Sequence, residues 1–474
     1  MLKMFEVLKS KIKPLLQSKK DLEIKKLKSQ VQAAYYAATS ESPSMDFSFA
    51  GSETLNNVLK ADLQTLRNRI RYEMRSNGPA KGMLRIYANT CVSTGPTLSI
   101  ESADTMWNEQ VERKFSKWAT QAGFTRGESL AEIIHLGIRQ FFIAGEFFNL
   151  YKSDKKSENA VKLKLLLLRP DRIAAPFGGG LGNSFDGVNF NANGQPISYS
   201  IKSDTMVNST YVTESAENLT HVFQLDEPEQ YRGEPWLAAG LPDLHMRRRY
   251  DEARVAAAVV AAKFAVFLTS SNTEIPPEEI LPEGVVELND AAATILPPGY
   301  GVASFSGSQP AAGATDFRRE MNANAGAAAG MSSNVSNNDS GNSSFASARY
   351  DDVGFGLEIG VIRDIVANRL LNIIAQKFIL EAAAVRDIGP IPEDYKFVWR
   401  WPQASRHTDP LKAANANKTS ITTGEKTLSD IWAEQGKDKE QMRAALLDDI
   451  DWYEANDLLH PLVNPVTQDI VKEE

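Results

Sequence analysis

Apolar residues recur at helical spacing over 53–74, where Leu55, Val58, Leu59, Leu63 and Leu66 share one face. Arg67, Arg69, Arg71 and Arg75 cluster in the same stretch. Asn77-Gly78-Pro79 interrupts this run and starts a second helix toward Thr94, which Gly95-Pro96 ends. Two more helices are predicted near 102–122 and 128–144. The period then shortens to two. Stretches 146–151, 161–169, 188–190 with 195–201, and 220–225 read as strands separated by Gly, Asn and Asp turns. Asn193-Gly194 is a hairpin signal between two of them. An α+β module thus covers roughly the first 230 residues.

The longest helical pattern runs over 237–268, about 48 Å at 1.5 Å per residue, with Pro242 in its first turns where proline is tolerated. Its first half carries Arg247, Arg248, Arg249, Asp251, Glu252 and Arg254, and its second half is mostly Ala and Val. So much alanine and so little Leu or Ile favours close packing against copies of itself. A Pro-rich stretch, 272–313, follows, with short strands expected near 285–288, 294–296 and 301–305. A helix over 315–330 leads into 326–349, a run of Gly, Ala, Ser and Asn whose only acid is Asp339 and whose first base is Arg349. Such residues bury little apolar surface, so a mobile, wet loop is expected. In an arbitrary protein it would be a surface linker; between these helices it suits the lining of a passage. A long helix over 344–384 has an apolar stripe of Leu357, Val361, Ile365, Leu370, Ile374 and Phe378, and a strand over 395–399 follows. The tail, 409–457, reads as helical with breaks at Gly424 and Gly436, and ends in Asp448, Asp449, Asp451 and Glu454. There is no internal repeat.

Composition adds limits. The 474 residues, 42% hydrophobic and 24% charged, describe a multi-module globular protein. A net charge of −8 argues against a protein that coats DNA, which needs a basic surface. Cys91, the single cysteine, excludes an internal disulfide and any multi-thiolate metal site. Residues 1–28 form a basic amphipathic arm, with no apolar core or cleavage site of a secretory signal. The best membrane candidate, 255–268, has about 14 residues and includes Lys263, short of the roughly 20 needed, so no membrane insertion is expected.

Catalytic patterns are missing. Thr423-Gly424-Glu425-Lys426-Thr427 lacks the cradle of a phosphate-binding loop, and Gly178-Gly179-Gly180-Leu181-Gly182 opens no clear helix. His135, His221, His245, His407 and His460 are scattered without zinc spacing. The C-terminal acids read as a solvated face rather than a two-metal nuclease centre. The expectation is a structural protein with no catalytic residues, metal or cofactor.

Several short motifs then stand in a recognisable order. Arg75-Ser76-Asn77-Gly78-Pro79-Ala80 precedes Val92-Ser93-Thr94-Gly95-Pro96. Gly145-Glu146-Phe147-Phe148, Arg169-Pro170-Asp171-Arg172-Ile173 and Gly194-Gln195-Pro196-Ile197-Ser198-Tyr199 follow. Glu229-Gln230-Tyr231-Arg232-Gly233-Glu234-Pro235 leads directly into the Ala-rich helix. Leu296-Pro297-Pro298-Gly299, Asn342-Ser343-Ser344-Phe345-Ala346-Ser347-Ala348-Arg349 and Thr408-Asp409-Pro410-Leu411-Lys412 complete the series. Collinear over roughly 55–450, this order resembles the portal proteins of tailed bacteriophages, in their lambda-type branch. Met331-Ser332-Ser333-Asn334-Val335 is more polar than the family pattern, and Phe345 follows the serine pair where a tyrosine usually precedes it.

The resemblance implies an α+β, multi-module portal fold with wing, long-helix stem, small β clip and helical crown, assembled as a ring, typically of twelve copies. Its parts would be a basic arm and linker (1–52), wing (53–236), first stem helix (237–271), clip (272–313), second stem helix (314–330), tunnel loop (331–343), long wing helix and strand (344–404), and crown with acidic tail (405–474). It implies a tunnel loop presenting Ser333, Asn334, Ser336, Asn337, Asn338, Asp339, Ser340 and Asn342 to DNA. Lys263, Arg318 and Arg319 would line the stem, and Glu278, Glu279, Glu283 and Glu287 would offer partners a docking surface. Implied partners are other copies of the chain, double-stranded DNA, the terminase large subunit, major capsid and scaffold proteins, and head-completion, adaptor and tail proteins. The implied location is the portal vertex of the virion, after synthesis in the host cytoplasm. Rival readings are a non-portal capsid assembly or scaffold protein, a packaging nuclease, and a helical membrane pore.

Overall fold

Helices α1 (Leu55–Ser76), α2 (Gly78–Val92), α3 (Thr105–Ala119) and α4 (Leu130–Ala144) open the part of the chain that the computed structural model describes. That part comprises residues 54–176, 183–203, 210–263, 267–270, 300–303, 313–339, 341, 344–402, 410–435, 437 and 439–458. The chain divides into Met1–Asn57 and Val58–Glu474. Of the first unit only 54–57 are described, where Asn57 N donates to Thr54 O (2.9 Å) at the start of α1. The basic arm expected over 1–52 lies outside the described residues.

Periodicity predicted what these helices bury. Leu59, Leu63 and Ile70 of α1 are buried, although Val58 is exposed. A capping box fixes the start of α4, with Ser129 and Glu132 each accepting the other's backbone N–H, and left-handed Gly145 (φ 78°) ends it. One element was not foreseen. Strand β1 (Thr97–Ser102) precedes α3, whose N-cap is Asp104, accepting from Trp107 N (3.0 Å). It pairs antiparallel with a strand almost 300 residues away, described below. With Leu98 and Ile100 as its only large apolar residues, β1 is too short for its alternation to stand out.

Strands β2 (Glu146–Ser153), β3 (Leu163–Leu168) and β8 (Leu219–Phe223) make an antiparallel sheet with β2 in the centre. A second sheet runs in order through β4 (Ser184–Phe185), β5 (Val188–Phe190), β6 (Pro196–Lys202) and β7 (Tyr211–Ser215), and Asn193-Gly194 turns β5 into β6 as expected. The two-residue period of β2 divides the interior. Phe147 joins the large helical core, whereas Phe148 and Leu150 join a smaller cluster with Leu168, Ile173, Val188, Tyr199 and Ile201.

The Ala-rich helix is shorter than its pattern. Helix α5 (Leu241–Lys263) spans 23 residues, about 35 Å. Ala238 N bonds to Pro235 O in a turn before it (2.8 Å). Beyond it, Phe267–Ser270 is β9, paired antiparallel with β10 (Tyr300–Ala303). The expected single helix therefore gives way to aromatic and β-branched residues that favour extension. The strands expected near 285–288 and 294–296 lie outside the described residues. Then come α6 (Ala314–Ala327), α7 (Ser333–Asn337) and α8 (Phe345–Val366), a π-helical turn at Ala367–Leu371, and α9 (Asn372–Ala384). Strand β11 (Tyr395–Arg400) is the partner of β1, with Thr97 opposite Arg400 and Ser102 opposite Tyr395. Helices α10 (Pro410–Thr422), α11 (Leu428–Glu434) and α12 (Lys439–Ala455) follow. The expected stripe on α8 needs correction, because Leu357 and Val361 are exposed while Phe355, Ile359, Ile362 and Val366 are buried.

One buried carboxylate ties this α+β region together. Glu146, fully buried at the start of β2, accepts from Arg232 Nε (2.8 Å) and Arg232 NH2 (2.6 Å), from Arg67 NH2 (2.7 Å), and from Gly233 N (2.9 Å). His221 Nε2 donates to Oε2 (2.9 Å), the oxygen that Gly233 N also reaches, which places the imidazole proton on Nε2. Arg232, also fully buried, donates onward to Asp186 Oδ2 (2.5 Å) and to the carbonyls of Ile173 and Pro170 (both 3.3 Å). Arg67 donates to Ala144 O (3.0 Å), and Asp171 receives Arg71 (2.6 Å). Arg67, Arg71 and Arg232 thus balance Glu146, Asp171 and Asp186. The backbone makes room for this. A Cβ on Gly145 would run into the Glu234 backbone, and one on Gly233 into the Gly145 carbonyl.

Burial alone would push the Glu146 carboxyl upward in pKa, but Arg232, Arg67 and His221 hold it well below the usual 4.5. Burial lowers His221 below its usual 6.5, outweighing the hydrogen bond to Glu146. Both shifts act in the same direction. The unfolded chain takes up protons that the folded chain refuses, so acid destabilises: through His221 from 6.5 downward, and through Glu146 from 4.5 down to its lowered value. Glu146→Gln leaves the buried guanidinium groups of Arg67 and Arg232 one negative charge short, and a loss of about 3–5 kcal/mol is expected. Urea melts at about pH 7 would show a lower midpoint for the variant, and below about pH 4.5 a flatter acid slope than wild type, because the Glu146 contribution is gone. Wild-type midpoints and slope in Glu146→Gln would refute this account.

Candidate functional site

Helices α5 and α6 pack side by side through Tyr250 and Phe317, whose ring centroids are 4.7 Å apart. Asp251 of α5 receives Arg247 from its own helix (3.5 Å) and Arg318 from α6 (3.8 Å). Past α6 the chain turns at Gly330 (φ 68°), buries Met331, and starts α7 with Ser332 as N-cap, accepting from Val335 N (3.5 Å). Left-handed Asn338 (φ 49°) ends α7, donating its backbone N–H toward the Asn334 and Val335 carbonyls.

The α7 segment lies along one face of α6, formed by Arg319, Asn322 and Gly326 at spacings of three and four. Asn337 Nδ2 donates to Arg319 O (3.2 Å), and Asn322 Nδ2 donates to Asn337 Oδ1 (3.1 Å). Ser336 is buried against Gly326, where a Cβ would overlap its hydroxyl, and its Oγ donates to Ser332 O (2.8 Å). Asp339 Oδ2 meets the Arg319 guanidinium (3.2 Å), while its Oδ1 accepts from Gly341 N (2.8 Å). On the side toward α8, Asn334 Nδ2 donates to Asp351 Oδ2 (2.6 Å).

Over residues 331–339 this corrects the expectation of a mobile, wet loop at 326–349. Ser and Asn side chains here cap a helical turn and fasten it, and the apolar Met331 and Val335 anchor it to the main core. Of the residues singled out from sequence, Ser333, Asn338 and Asp339 are exposed, Asn334 and Asn337 are half-buried, and Ser336 is buried. Buried Ser336 therefore leaves the set that the segment presents to solvent. Ser340 and Asn342 lie outside the described residues. Arg318 and Arg319 sit on α6, each with an acid partner, and Lys263 is the last residue of α5. Glu278, Glu279, Glu283 and Glu287 lie outside the described residues. Sequence reasoning missed Asn322 and Gly326, although their spacing from Arg319 was a usable signal. Among the described residues no three His, Cys, Asp or Glu are grouped to hold a metal ion, and no helix is long and apolar enough to cross a membrane.

Residues 42–358 match the family described as phage portal protein, lambda family. The chain belongs to that family. The matched range contains Glu146, Arg232 and the whole of α5 to α7. A relative described as a probable portal protein, from Halomonas phage phiHAP-1, is 23% identical over 425 residues, 83% of this chain and 82% of the relative. Among solved structures, a chain in the neck of an empty GTA particle computed with C6 symmetry superposes with a TM-score of 0.51 at 13% identity. That superposition covers 80% of this chain and 94% of the other, and shows a shared fold. The molecule is thus a portal protein, a structural component of a bacteriophage-type particle.

In this portal protein Gly326 should decide whether α7 stays docked. Gly326→Val forces side-chain atoms into Ser336, and overpacking of this kind costs about 1–3 kcal/mol. Hydrogen exchange of the α7 amides should quicken while that of α2 and α4 stays slow, and Ser336→Gly in the same chain should restore much of the protection. Unchanged α7 exchange in Gly326→Val would contradict the packing described.

Proposed function

We propose that copies of this portal protein close into a ring, of twelve by the family pattern, around a passage for double-stranded DNA, with α5 and α6 as its stem and the α7 segment toward the duplex. The observation that carries this reading is the surface the segment offers. Ser333 and Asn338 are exposed and uncharged, and the arginines beside them on α6 are engaged by Asp251 and Asp339. A free cation repeated around a ring would bind phosphate at every position and hold the duplex, whereas serine and asparagine exchange weak hydrogen bonds as it moves. Twelve copies at −8 each carry about −96 formal charges, which keeps the outer surface from adhering to DNA.

Ring closure has its own support. Tyr350, Val353, Leu357 and Val361 form an exposed stripe along α8, opposite the buried face of Phe355, Ile359 and Ile362. A helix apolar on two sides needs a second cover, and contiguous exposed apolar surface of this kind marks an interface. Val255 and Val259, also exposed, add such a strip to α5. In this reading 53–236 is the wing, 272–313 the clip and 405–474 the crown. The ring stands at one capsid vertex among major capsid and scaffold proteins. It docks the terminase large subunit for packaging, then head-completion, adaptor and tail proteins, after synthesis in the host cytoplasm.

Negative-stain images of the purified protein should show an annulus with a central hole. Leu357→Asp puts a charge into the α8 stripe, and sedimentation should show it shifted to smaller species at equal concentration; intact rings would remove α8 from the interface. Asn338→Lys should assemble normally but slow DNA packaging about tenfold or more in a terminase-driven assay, because each subunit then offers a phosphate contact. Normal packaging by assembled Asn338→Lys rings would overturn the assignment of the segment to the passage.

A further inference from the structure

Asp339 is the only charged residue between Met321 and Ala348. A stretch otherwise stripped of charge keeps one acid, and its place explains why. One oxygen, Oδ1, accepts the Gly341 N–H and shapes the turn, a task that asparagine would do as well. The other, Oδ2, meets the Arg319 guanidinium (3.2 Å), a contact in which only the charge is specific to aspartate. Arg319 is held there from a second side, because Asn337 Nδ2 donates to its carbonyl (3.2 Å) and α7 lies along its face of α6. Its neighbour Arg318 has a separate acid in Asp251. Arg319 is only partly buried and Asp339 is exposed, so the pair stands at the surface where a polyanion would compete for the guanidinium.

We infer that Asp339 is the counter-charge that keeps Arg319 of its own subunit from binding DNA phosphate, and so sets how weakly the passage holds the duplex. This inference rests on the reading that the α7 segment faces DNA. A surface ion pair adds little stability, about 0–1 kcal/mol by general experience. Its value here is neutralisation. A carboxylate bound to the same chain is always present at high effective concentration, whereas a phosphate must arrive from outside. Multiplied around a ring, one such pair per subunit turns a circle of cations into a circle of neutral sites.

The test is equilibrium binding of a fluorescent DNA duplex to purified rings at roughly 50 and 200 mM salt, with assembly checked by imaging. Each added phosphate contact steepens the loss of affinity between those salts by about 3.5-fold, so two or three unmasked arginines give roughly 10- to 40-fold. Asp339→Asn should therefore bind tighter than wild type at the lower salt, with a steeper salt dependence. Asp339→Glu should bind as weakly as wild type. Arg319→Gln combined with Asp339→Asn should return to wild-type binding. If the double variant stays as tight as Asp339→Asn, the gain came from losing a repelling acid, and the shielding role is wrong. Wild-type affinity in Asp339→Asn alongside tighter binding by Asn338→Lys would overturn the shielding and leave the lining intact. Wild-type affinity in both would overturn the lining as well.

Discussion

The architecture turns on a carboxylate that has no access to water. Glu146 stands where α4 stops and β2 begins, and its two oxygens are filled by Arg232, Arg67, His221 and the Gly233 amide. Removing such charges from water costs several kcal/mol per ion, a cost offset only when every lone pair finds a donor at good distance. Here the four donors come from three separate parts of the chain: α1, β8, and the segment that leads into α5. The residues must therefore arrive together, and Gly145 and Gly233 let the two backbones touch so that they can. Once Glu146 is fixed, the alternation of β2 assigns Phe147 to the helical core and Phe148 to the inter-sheet cluster. The buried charge adds little by way of cohesion. It sets the register between the sheets and the helices, and it fixes the segment from which α5 departs.

The polar segment after α6 follows the same logic with weaker bonds. Serine and asparagine are poor helix formers because their side chains compete for backbone groups, and α7 uses that competition at its ends. Ser332 caps one end and Asn338 turns left-handed at the other. Side-chain amides whose Nδ2 already donates to Arg319 O and to Asp351 have fewer free donors to give a passing phosphate. In the proposed arrangement, low adhesion arises from hydrogen bonds satisfied inside the subunit rather than from looseness.

Local elements were legible in the sequence, and long-range ones were not. Helices α1, α2 and α4 and strands β2, β3 and β8 announce themselves by period and by Gly or Pro at their ends. Strand β1 does not, since six residues with two large apolar side chains show too little alternation. Although β11 was legible as a strand, nothing local marks it as the partner of β1 almost 300 residues away. Arg67 reads from sequence only as one of four clustered arginines; the fold shows that it reaches a carboxylate 79 positions later. Arg232 and Glu146 were visible as motif residues, but a motif gives no partner. The α8 stripe misled for a different reason. Leu357 and Ile359 lie on opposite faces of a helix that is apolar on both, so periodicity alone cannot choose the side that packs within the chain. The Ser–Asn segment was legible in composition and illegible in conformation, because capping depends on which face of α6 receives it.

In the proposed ring, closed symmetry would give these small terms their weight. An exposed pair such as Arg319 with Asp339 barely changes the folding of one chain, yet in the proposed ring every subunit would repeat it at the same height. Phosphate contacts multiply rather than add, since each contributes its own factor to the binding constant. A few contacts of modest strength would convert a passing duplex into a bound one. Selection on a conduit therefore acts most strongly on charge near the axis, where one residue is counted once per subunit. The outer surface can tolerate Lys and Glu in ordinary mixture. If the α7 segment lines the passage as proposed, its single acid set opposite an arginine is what that asymmetry predicts.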